Sequence, residues 1–80
     1  MVFDQIREIA SDLFAVPAKN ITADSSPESI ETWDSAKHLD LVLAIEEKFH
    51  IRLSPEETEQ MKNIGQIAKI VEGKLSATPG

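Results

Sequence analysis

The prediction of the fold rests on residues 33–49, which read WDSAKHLDLVLAIEEKF. Asp34 and Ser35 are residue types that commonly cap a helix N-terminus, so a helix is predicted from about Ser35 to His50. At 100° per residue, one face of this helix carries Leu41, Val42, Ile45 and Phe49, with His38 on the same side. The opposite face carries Ala36, Asp40, Leu43 and Glu47. The segment therefore predicts a helix with a core face and a second, mixed apolar and acidic face that begins next to Ser35.

The chain before this segment predicts one helix and a long loop. From Val2 to Ala15, apolar residues recur at three- and four-residue steps, which is typical of a helix with one buried face. Pro17 ends this helix, because the residue before a proline disfavours the helical conformation. Residues 18–33 are rich in Asn, Thr, Ser, Asp and Pro and predict a loop. Isolated apolar residues are expected to pin this loop against the helices. They are Ile21, Ile30 and Trp33.

Further helices are predicted after the central one. Ser54-Pro55-Glu56-Glu57 combines a Ser cap, Pro at the first helical position and Glu three residues after the cap, which together mark a helix start. The short helix that follows is expected to end near Met61. The last helix is predicted from about Ile64 to Leu75, because apolar residues recur there on one stripe. The stripe consists of Ile64, Ile67, Ala68, Val71 and Leu75.

These elements predict an all-α fold. No stretch of useful length alternates apolar and polar residues as a strand does, and the sequence contains no internal repeat. Three longer helices, one short helix and a long loop between helices 1 and 2 predict a small four-helix bundle. We expect residues 1–76 to form a single domain and residues 77–80 to form a frayed tail.

The composition excludes several classes of function. The chain has 80 residues, 14 of them acidic and 8 basic, a net charge of −6 and no cysteine. The lack of cysteine removes thiol nucleophiles, disulfides and Cys-type zinc sites, and the acidic excess opposes binding to nucleic acid. The sequence contains neither a signal-peptide pattern nor a run of roughly 18 apolar residues. It therefore predicts a cytoplasmic protein that does not insert into membranes and is suited to basic surfaces on other proteins.

The segment from Trp33 to Phe49 resembles the modification site and recognition helix of acyl carrier proteins. That family has Asp-Ser-Leu at the helix start and an acidic and apolar helix that ends in Glu-Glu-x-Phe. Here the corresponding residues are Asp34-Ser35-Ala36 and Glu46-Glu47-Lys48-Phe49. The other helices and the long loop also fall at the family's usual spacing, so the resemblance covers nearly the whole chain. An Asp-Ser pair alone is a weak motif, and this layout makes it a strong one.

The resemblance implies a non-enzymatic carrier that holds acyl groups as thioesters on a covalent 4′-phosphopantetheine arm. Ser35 would be the attachment point, esterified by a phosphopantetheinyl transferase that uses coenzyme A. Asp34 would help to bind that transferase and its metal-bound cofactor. Acyl-loading and acyl-transferring enzymes with basic patches would dock on Ala36, Lys37, Asp40, Leu43, Glu46 and Glu47. If the bundle opens to shelter the acyl chain, the cavity would be lined by Leu41, Val42, Ile45, Ile67 and Val71. The carrier is expected to be a monomer without a metal of its own.

Ser35 is interpreted as a substrate of modification and not as a catalyst. A nucleophilic serine needs an activating base, and no His-Asp arrangement is evident beside it. His38 lies on the core side of its helix, where we expect a neutral ring that packs near Trp33 and bonds loop backbone. Ser35 is also a common N-cap residue, a role that is compatible with modification. No catalytic residue is therefore predicted.

Residues beside Ser35 depart from the family pattern. Ala36 stands where Leu is usual, and Lys37 stands where fatty-acid carriers tend to have an acid. A Trp before the Asp-Ser pair and a His three residues after the serine are familiar from carriers of specialised pathways. The resemblance thus favours a dedicated carrier for fatty-acid, polyketide or related lipid biosynthesis. A peptidyl, aryl or D-alanyl carrier loaded by an adenylating enzyme is an alternative, which the acids of the second helix disfavour. An unmodified helical adaptor is a more distant one.

Overall fold

The computed structural model describes residues 2–77, with side chains to residue 75, and every regular element in this part of the chain is helical. The α-helices are α1 (Val2–Phe14), α2 (Ser35–Phe49), α3 (Pro55–Glu59) and α4 (Ile64–Ala77). A short 3₁₀ helix, Ala18–Asn20, lies in the first loop and was not predicted. The predicted all-α fold, with three longer helices and one short helix, is confirmed.

Polar groups of the following loop donate hydrogen bonds to carbonyl oxygens at the C-terminus of α1. Ala15 adopts the left-handed conformation with φ 57°, and the backbone N–H of Val16 donates to the carbonyl oxygen of Ser11 at 3.3 Å. The Thr32 hydroxyl donates to the carbonyl oxygen of Phe14 at 2.7 Å. The last carbonyls of a helix lack partners inside it, so these bonds satisfy groups that would otherwise need water.

The predicted caps of the later helices form, with small changes at the helix ends. Asp34 caps α2, and His50 (φ 55°) follows its last residue, so the helix ends one residue earlier than predicted. Ser54 and Glu57 make the predicted reciprocal capping box. The helix α3 ends at Glu59, two residues before Met61, and the Met61 side chain is buried.

The core lies between the inner faces of the helices and the first loop. Leu75 was predicted to belong to the apolar stripe of α4, but its side chain is 37% exposed. The buried stripe therefore ends one turn earlier, and α4 itself continues to Ala77. Residues 78–80 of the predicted tail lie outside the described residues. The buried apolar residues are Ile6, Ala10, Phe14, Ile21, Ile30, Trp33, Leu41, Val42, Ile45, Met61, Ile64, Ile67, Ala68 and Val71.

The long first loop is held in place by its predicted anchors and by backbone bonds to the start of α4. Ile21, Ile30 and Trp33 are buried, which confirms the prediction. The backbone N–H of Gly65 donates to the carbonyl oxygen of Ala23 at 2.9 Å. A Cβ atom at position 65 would lie 3.1 Å from both Ala23 Cβ and this oxygen, so the close approach favours glycine. The loop thus reaches Ser35 along a defined path.

Candidate functional site

Ser35 is the first residue of α2, and its side chain is exposed. The preceding residue, Asp34, has extended backbone and accepts a hydrogen bond from the backbone N–H of Lys37 at 2.9 Å. Asp34 therefore serves as the N-cap, which leaves the Ser35 hydroxyl free of that role. No other group in residues 2–77 bonds the Ser35 hydroxyl. The helix thus presents an unengaged hydroxyl at its N-terminus.

The position of Ser35 fits a phosphodiester chemically. The helix α2 has 15 residues, and the backbone dipoles of such a helix place partial positive charge at its N-terminus. The first N–H groups of a helix have no partner inside it and point outward, where they stabilise a bound phosphate. The expected phosphopantetheine linkage would place its phosphate at this end of α2.

His38 is bonded through both ring nitrogens, as its position on the core side of α2 predicts. The indole N–H of Trp33 donates to His38 Nδ1 at 3.1 Å, and His38 Nε2 lies 3.1 Å from the carbonyl oxygen of Thr58. Because Nδ1 accepts, a neutral ring carries its proton on Nε2 and donates to Thr58. The prediction that the ring packs near Trp33 is confirmed, but the backbone that Nε2 bonds belongs to α3 and not to a loop. His38 has no free nitrogen to activate Ser35.

Phe14 extends the Trp33–His38 pair to a stack of three aromatic rings. The rings of Phe14 and Trp33 stack at 5.0 Å between centroids, and those of Trp33 and His38 at 6.0 Å. Phe14 and Trp33 are almost fully buried, whereas His38 is partly exposed. Contacts at these distances favour a fixed ring geometry. The stack joins the end of α1, the loop and the first turns of α2.

A groove of about 770 Å³ lies beside Ser35, between the end of the first loop, α2 and α3. We call it the Ser35 groove. Its wall is largely apolar and aromatic, with carboxylates and a lysine also present. Its lining includes Trp33, His38, Leu39, Thr58 and Met61.

Leu39 is a site residue that the sequence prediction missed. It is 63% exposed, more than any other large apolar side chain among the described residues, and it lines the Ser35 groove. Leu43, one turn further along α2, is 59% exposed. The signal that could have identified Leu39 is its spacing of four residues from Ser35, which places both on the same side of a helix.

The residues predicted to bind partners divide into exposed and half-buried ones. Ala36, Asp40, Leu43 and Glu47 are exposed along α2, and we call this set the docking face. Lys37 and Glu46 are half-buried. One Glu46 carboxylate oxygen, Oε2, accepts a hydrogen bond from the backbone N–H of Leu53 at 2.8 Å, so this side chain also holds the loop before α3.

The residues predicted to line an acyl cavity are buried, and none of them lines the Ser35 groove. They are Leu41, Val42, Ile45, Ile67 and Val71. Their side chains pack against each other and the rest of the core. Their role in sheltering an acyl chain stays a prediction, since it requires the helices to separate.

The opposite side of α3 is tied to α4 by an ion pair. Lys74 Nζ lies 2.8 Å from Glu57 Oε1, and both side chains are partly exposed. The hydrogen bond from Lys74, followed by that from the Ser54 backbone, lowers the pKa of Glu57 below its ordinary value of 4.5. The carboxylate thus supports α3 both as part of its N-terminal cap and through its link to α4.

Neither a candidate metal centre nor a membrane-spanning helix occurs in the part of the chain that the structure describes. No cluster of His, Cys, Asp and Glu side chains with metal-binding geometry occurs among these residues. Within the same range, no helix is long and apolar enough to cross a membrane.

This chain is similar to known proteins in sequence and in structure. A family model described as a phosphopantetheine attachment site matches residues 4–71. The acyl carrier protein of Clostridium acetobutylicum is 30% identical over 71 residues, which cover 89% of this chain and 92% of that protein. The acyl carrier protein of Guillardia theta is 29% identical over 76 residues, with coverage of 95% and 94%.

A solved structure extends the comparison to three dimensions. The solution NMR structure of a holo acyl carrier protein from Geobacter metallireducens matches this fold with a TM-score of 0.84 and 28% sequence identity. The match covers 94% of this chain and 86% of that one. The likeness therefore includes the sequence and the arrangement of the helices over nearly the full length.

Proposed function

Because this chain belongs to the acyl carrier protein family, whose members are carriers and hold a covalent phosphopantetheine, we propose that Ser35 is its attachment residue. The observation that carries the proposal is the exposed, unengaged Ser35 hydroxyl at the N-terminus of α2. This hydroxyl is accessible to a transferase, and the helix end favours the phosphate that results.

The modification step assigns distinct roles to the chain and to the transferase. Ser35 Oγ forms a bond to the phosphorus next to pantetheine as the pyrophosphate bond of coenzyme A breaks and adenosine 3′,5′-bisphosphate leaves. The hydroxyl proton passes to a base of the transferase, because both nitrogens of His38 are already bonded. Asp34 holds the helix start and offers its second carboxylate oxygen to the transferase and its metal-bound cofactor. The attached arm supplies the thiol that this cysteine-free chain lacks.

The docking face is the proposed surface for basic patches on partner enzymes. It begins beside Ser35 and presents two carboxylates, Asp40 and Glu47, around the exposed Leu43. Lys37 and Glu46 border it, and the net charge of −6 adds a long-range attraction to basic proteins. Charge complementarity of this kind raises association rates and sets orientation, which suits a carrier that visits several enzymes in turn.

The cargo proposed for this carrier is an acyl group of fatty-acid, polyketide or related lipid biosynthesis. The acidic docking face favours this cargo over the amino or aryl acids of a peptidyl, aryl or D-alanyl carrier, which is the second candidate. Ala36 and Lys37, beside the attachment site, favour a dedicated pathway over general fatty-acid synthesis. We propose that the protein acts as a monomer in the cytoplasm.

Intact mass spectrometry tests the attachment site directly. The chain is incubated with coenzyme A and a broad-specificity phosphopantetheinyl transferase, in parallel with Ser35→Ala and the control Ser29→Ala, which alters another exposed serine. We expect the wild type and the control to gain one phosphopantetheine and Ser35→Ala to gain none. A folded, initially unmodified wild type that gains nothing would contradict the proposal and favour the helical adaptor.

A further inference from the structure

We propose that His38 is a specificity-determining residue that keeps an acyl group in the Ser35 groove and out of the helical core. The proposal rests on Ser35 being the attachment site. An acyl group on the arm has two apolar environments within this fold, the open groove and the core behind it. His38 lies between them.

The helix α3 is the less firmly held wall of the Ser35 groove. It has only five residues, too few to be stable as an isolated helix. Among the described helices, α1 makes the most extensive backbone contacts, with α4 and with α2. The contacts of α3 with other helices are less extensive. Elements with few tertiary contacts open at lower free energy than the rest of a fold. A small number of side chains therefore sets the distance between α2 and α3.

His38 provides the tie between α2 and α3 at the groove. Its Nε2 bonds the carbonyl oxygen of Thr58, the fourth residue of α3, at 3.1 Å. Its Nδ1 accepts from Trp33, which is itself stacked on Phe14, so the ring cannot turn away without losing a bond. The ring thus connects α3 to the buried aromatic pair Phe14 and Trp33.

The same ring stands at the boundary between groove and core. Met61 lines the groove and is only 2% exposed, so its side chain also belongs to the core. Leu41, one turn after His38 on the same face of α2, is completely buried. An acyl chain that passes inward beside His38, between α2 and α3, would displace the ring or break its bond to Thr58.

Loss of the His38–Thr58 bond should change how strongly the stability of the folded protein depends on acyl-chain length. Each methylene that leaves water favours the folded, loaded protein, so a chain that enters the core stabilises more with every added carbon than one in an open groove. With His38 in place, the extra carbons of a long chain remain partly in water. Without it, they reach the core between α2 and α3.

The test compares thermal unfolding of the holo, acetyl and octanoyl forms of the wild type, His38→Ala and His38→Gln. The forms are prepared by transferase from the corresponding coenzyme A thioesters and checked by intact mass. We expect the rise in Tm from acetyl to octanoyl to be about twofold larger in His38→Ala than in the wild type. In His38→Gln, the amide accepts from Trp33 and donates to Thr58, so the wild-type dependence should return.

A matched control and a second variant make the result decisive. His50→Asn changes the other histidine, which is exposed at the end of α2 in a conformation that Asn tolerates, and should behave as the wild type. If His38→Ala does not fold, Trp33→Phe replaces it: this variant keeps an aromatic ring against Phe14, removes the bond to His38, and should show the same change. If Tm depends equally on acyl-chain length in the folded variants and in the wild type, the proposed role of His38 is overturned and the proposed function is not. Failure of every form to gain the arm overturns the proposed function as well.

Discussion

Ala15 and His50 are the non-glycine residues with positive φ in the described chain, and each follows the last residue of a helix. A left-handed residue at this position lets the backbone reverse direction, and glycine adopts it without steric penalty. Ala15 is exposed, so its Cβ contributes little packing to offset that penalty. The protein therefore carries a small local strain at the end of α1.

The first prediction is that Ala15→Gly stabilises the protein. Relief of the left-handed penalty outweighs the added entropy of glycine in the unfolded chain, for a net gain of about 0.5–1 kcal/mol. Urea denaturation measures the change. Ala44→Gly serves as the control, because Ala44 lies inside α2 with helical backbone, and there the same substitution should destabilise by about 1 kcal/mol. Destabilisation by Ala15→Gly would contradict the claim that the backbone is strained at Ala15.

The second prediction separates two roles of Asp34. Asp34→Ala removes the acceptor for the Lys37 N–H and should destabilise by about 1 kcal/mol. Asp34→Asn keeps an oxygen acceptor in the same place, so its stability should remain near that of the wild type. Because the charge is lost, modification of Ser35 should slow by about tenfold or more in both variants. An unchanged modification rate in Asp34→Asn would restrict Asp34 to the structural role of a cap.

Among the elements, α3 depends most on individual polar contacts. Its N-terminus is closed by Ser54 and Glu57, the loop before it is held by Glu46, and Glu57 also pairs with Lys74 of α4. Since α3 contributes no buried residue of its own, these contacts, the His38–Thr58 bond and the adjoining Met61 position it. Its stability should therefore respond to the charge of Glu57.

The third prediction is an acid-dependent loss of stability that originates in α3. The pKa of Glu57 is lowered in the folded state, so its ionised form contributes stability that is fully present above the unfolded-state pKa. That contribution is lost as the pH falls through the folded-state pKa, which lies below 4.5. In urea titrations between pH 7 and pH 3, Glu57→Gln should lose less stability than the wild type.

Glu56→Gln is the control for this measurement, because Glu56 is an exposed neighbour in the same helix turn. It should follow the wild-type curve, apart from a small uniform effect on the helix N-terminus. Parallel curves for Glu57→Gln and the wild type would mean that the ion pair with Lys74 adds no pH-dependent stability.

Local signals made the helices predictable, whereas contacts between distant segments were not. The capping box at Ser54 and Glu57 depends on residues three apart, and it formed as predicted. The inward turn of Glu46 depends on the path of the chain at Leu53, which no helix periodicity encodes. The four-residue spacing of Leu39 from Ser35 is a local signal, whereas its place in the wall of the Ser35 groove also depends on where α3 lies.

At the scale of the whole molecule, charge and shape act together on the encounter with partners. The net charge of −6 acts over a distance of about 8–10 Å at physiological salt, and the docking face determines which side of the molecule meets a basic surface. Uniform negative charge and a local acidic face make different contributions to association. Substitutions that remove the same number of carboxylate charges at different places on the surface can separate these two contributions.

The fourth prediction concerns the rate at which the transferase binds. Asp40→Asn with Glu47→Gln removes both carboxylates of the docking face and should lower the association rate by about three- to tenfold at low salt. Glu8→Gln with Asp12→Asn removes the same charge from exposed positions on α1 and should have a smaller effect. Stopped-flow measurements over a range of ionic strength provide the comparison, and the difference should shrink as salt screens the charges. Equal effects of the two double variants would argue against a specific docking face.

The backbone bonds between the first loop and α4 impose an order on biosynthesis. Ala23 and Ser25 bond Gly65 and Ile64, about 40 residues later in the chain. The loop that leads to Ser35 therefore lacks these partners until the ribosome has synthesised the start of α4. We expect a nascent chain that stops before α4 to be a poor transferase substrate. Measuring the modification of released chains of increasing length would test this expectation. Attachment of the arm would thus depend on prior synthesis of α4.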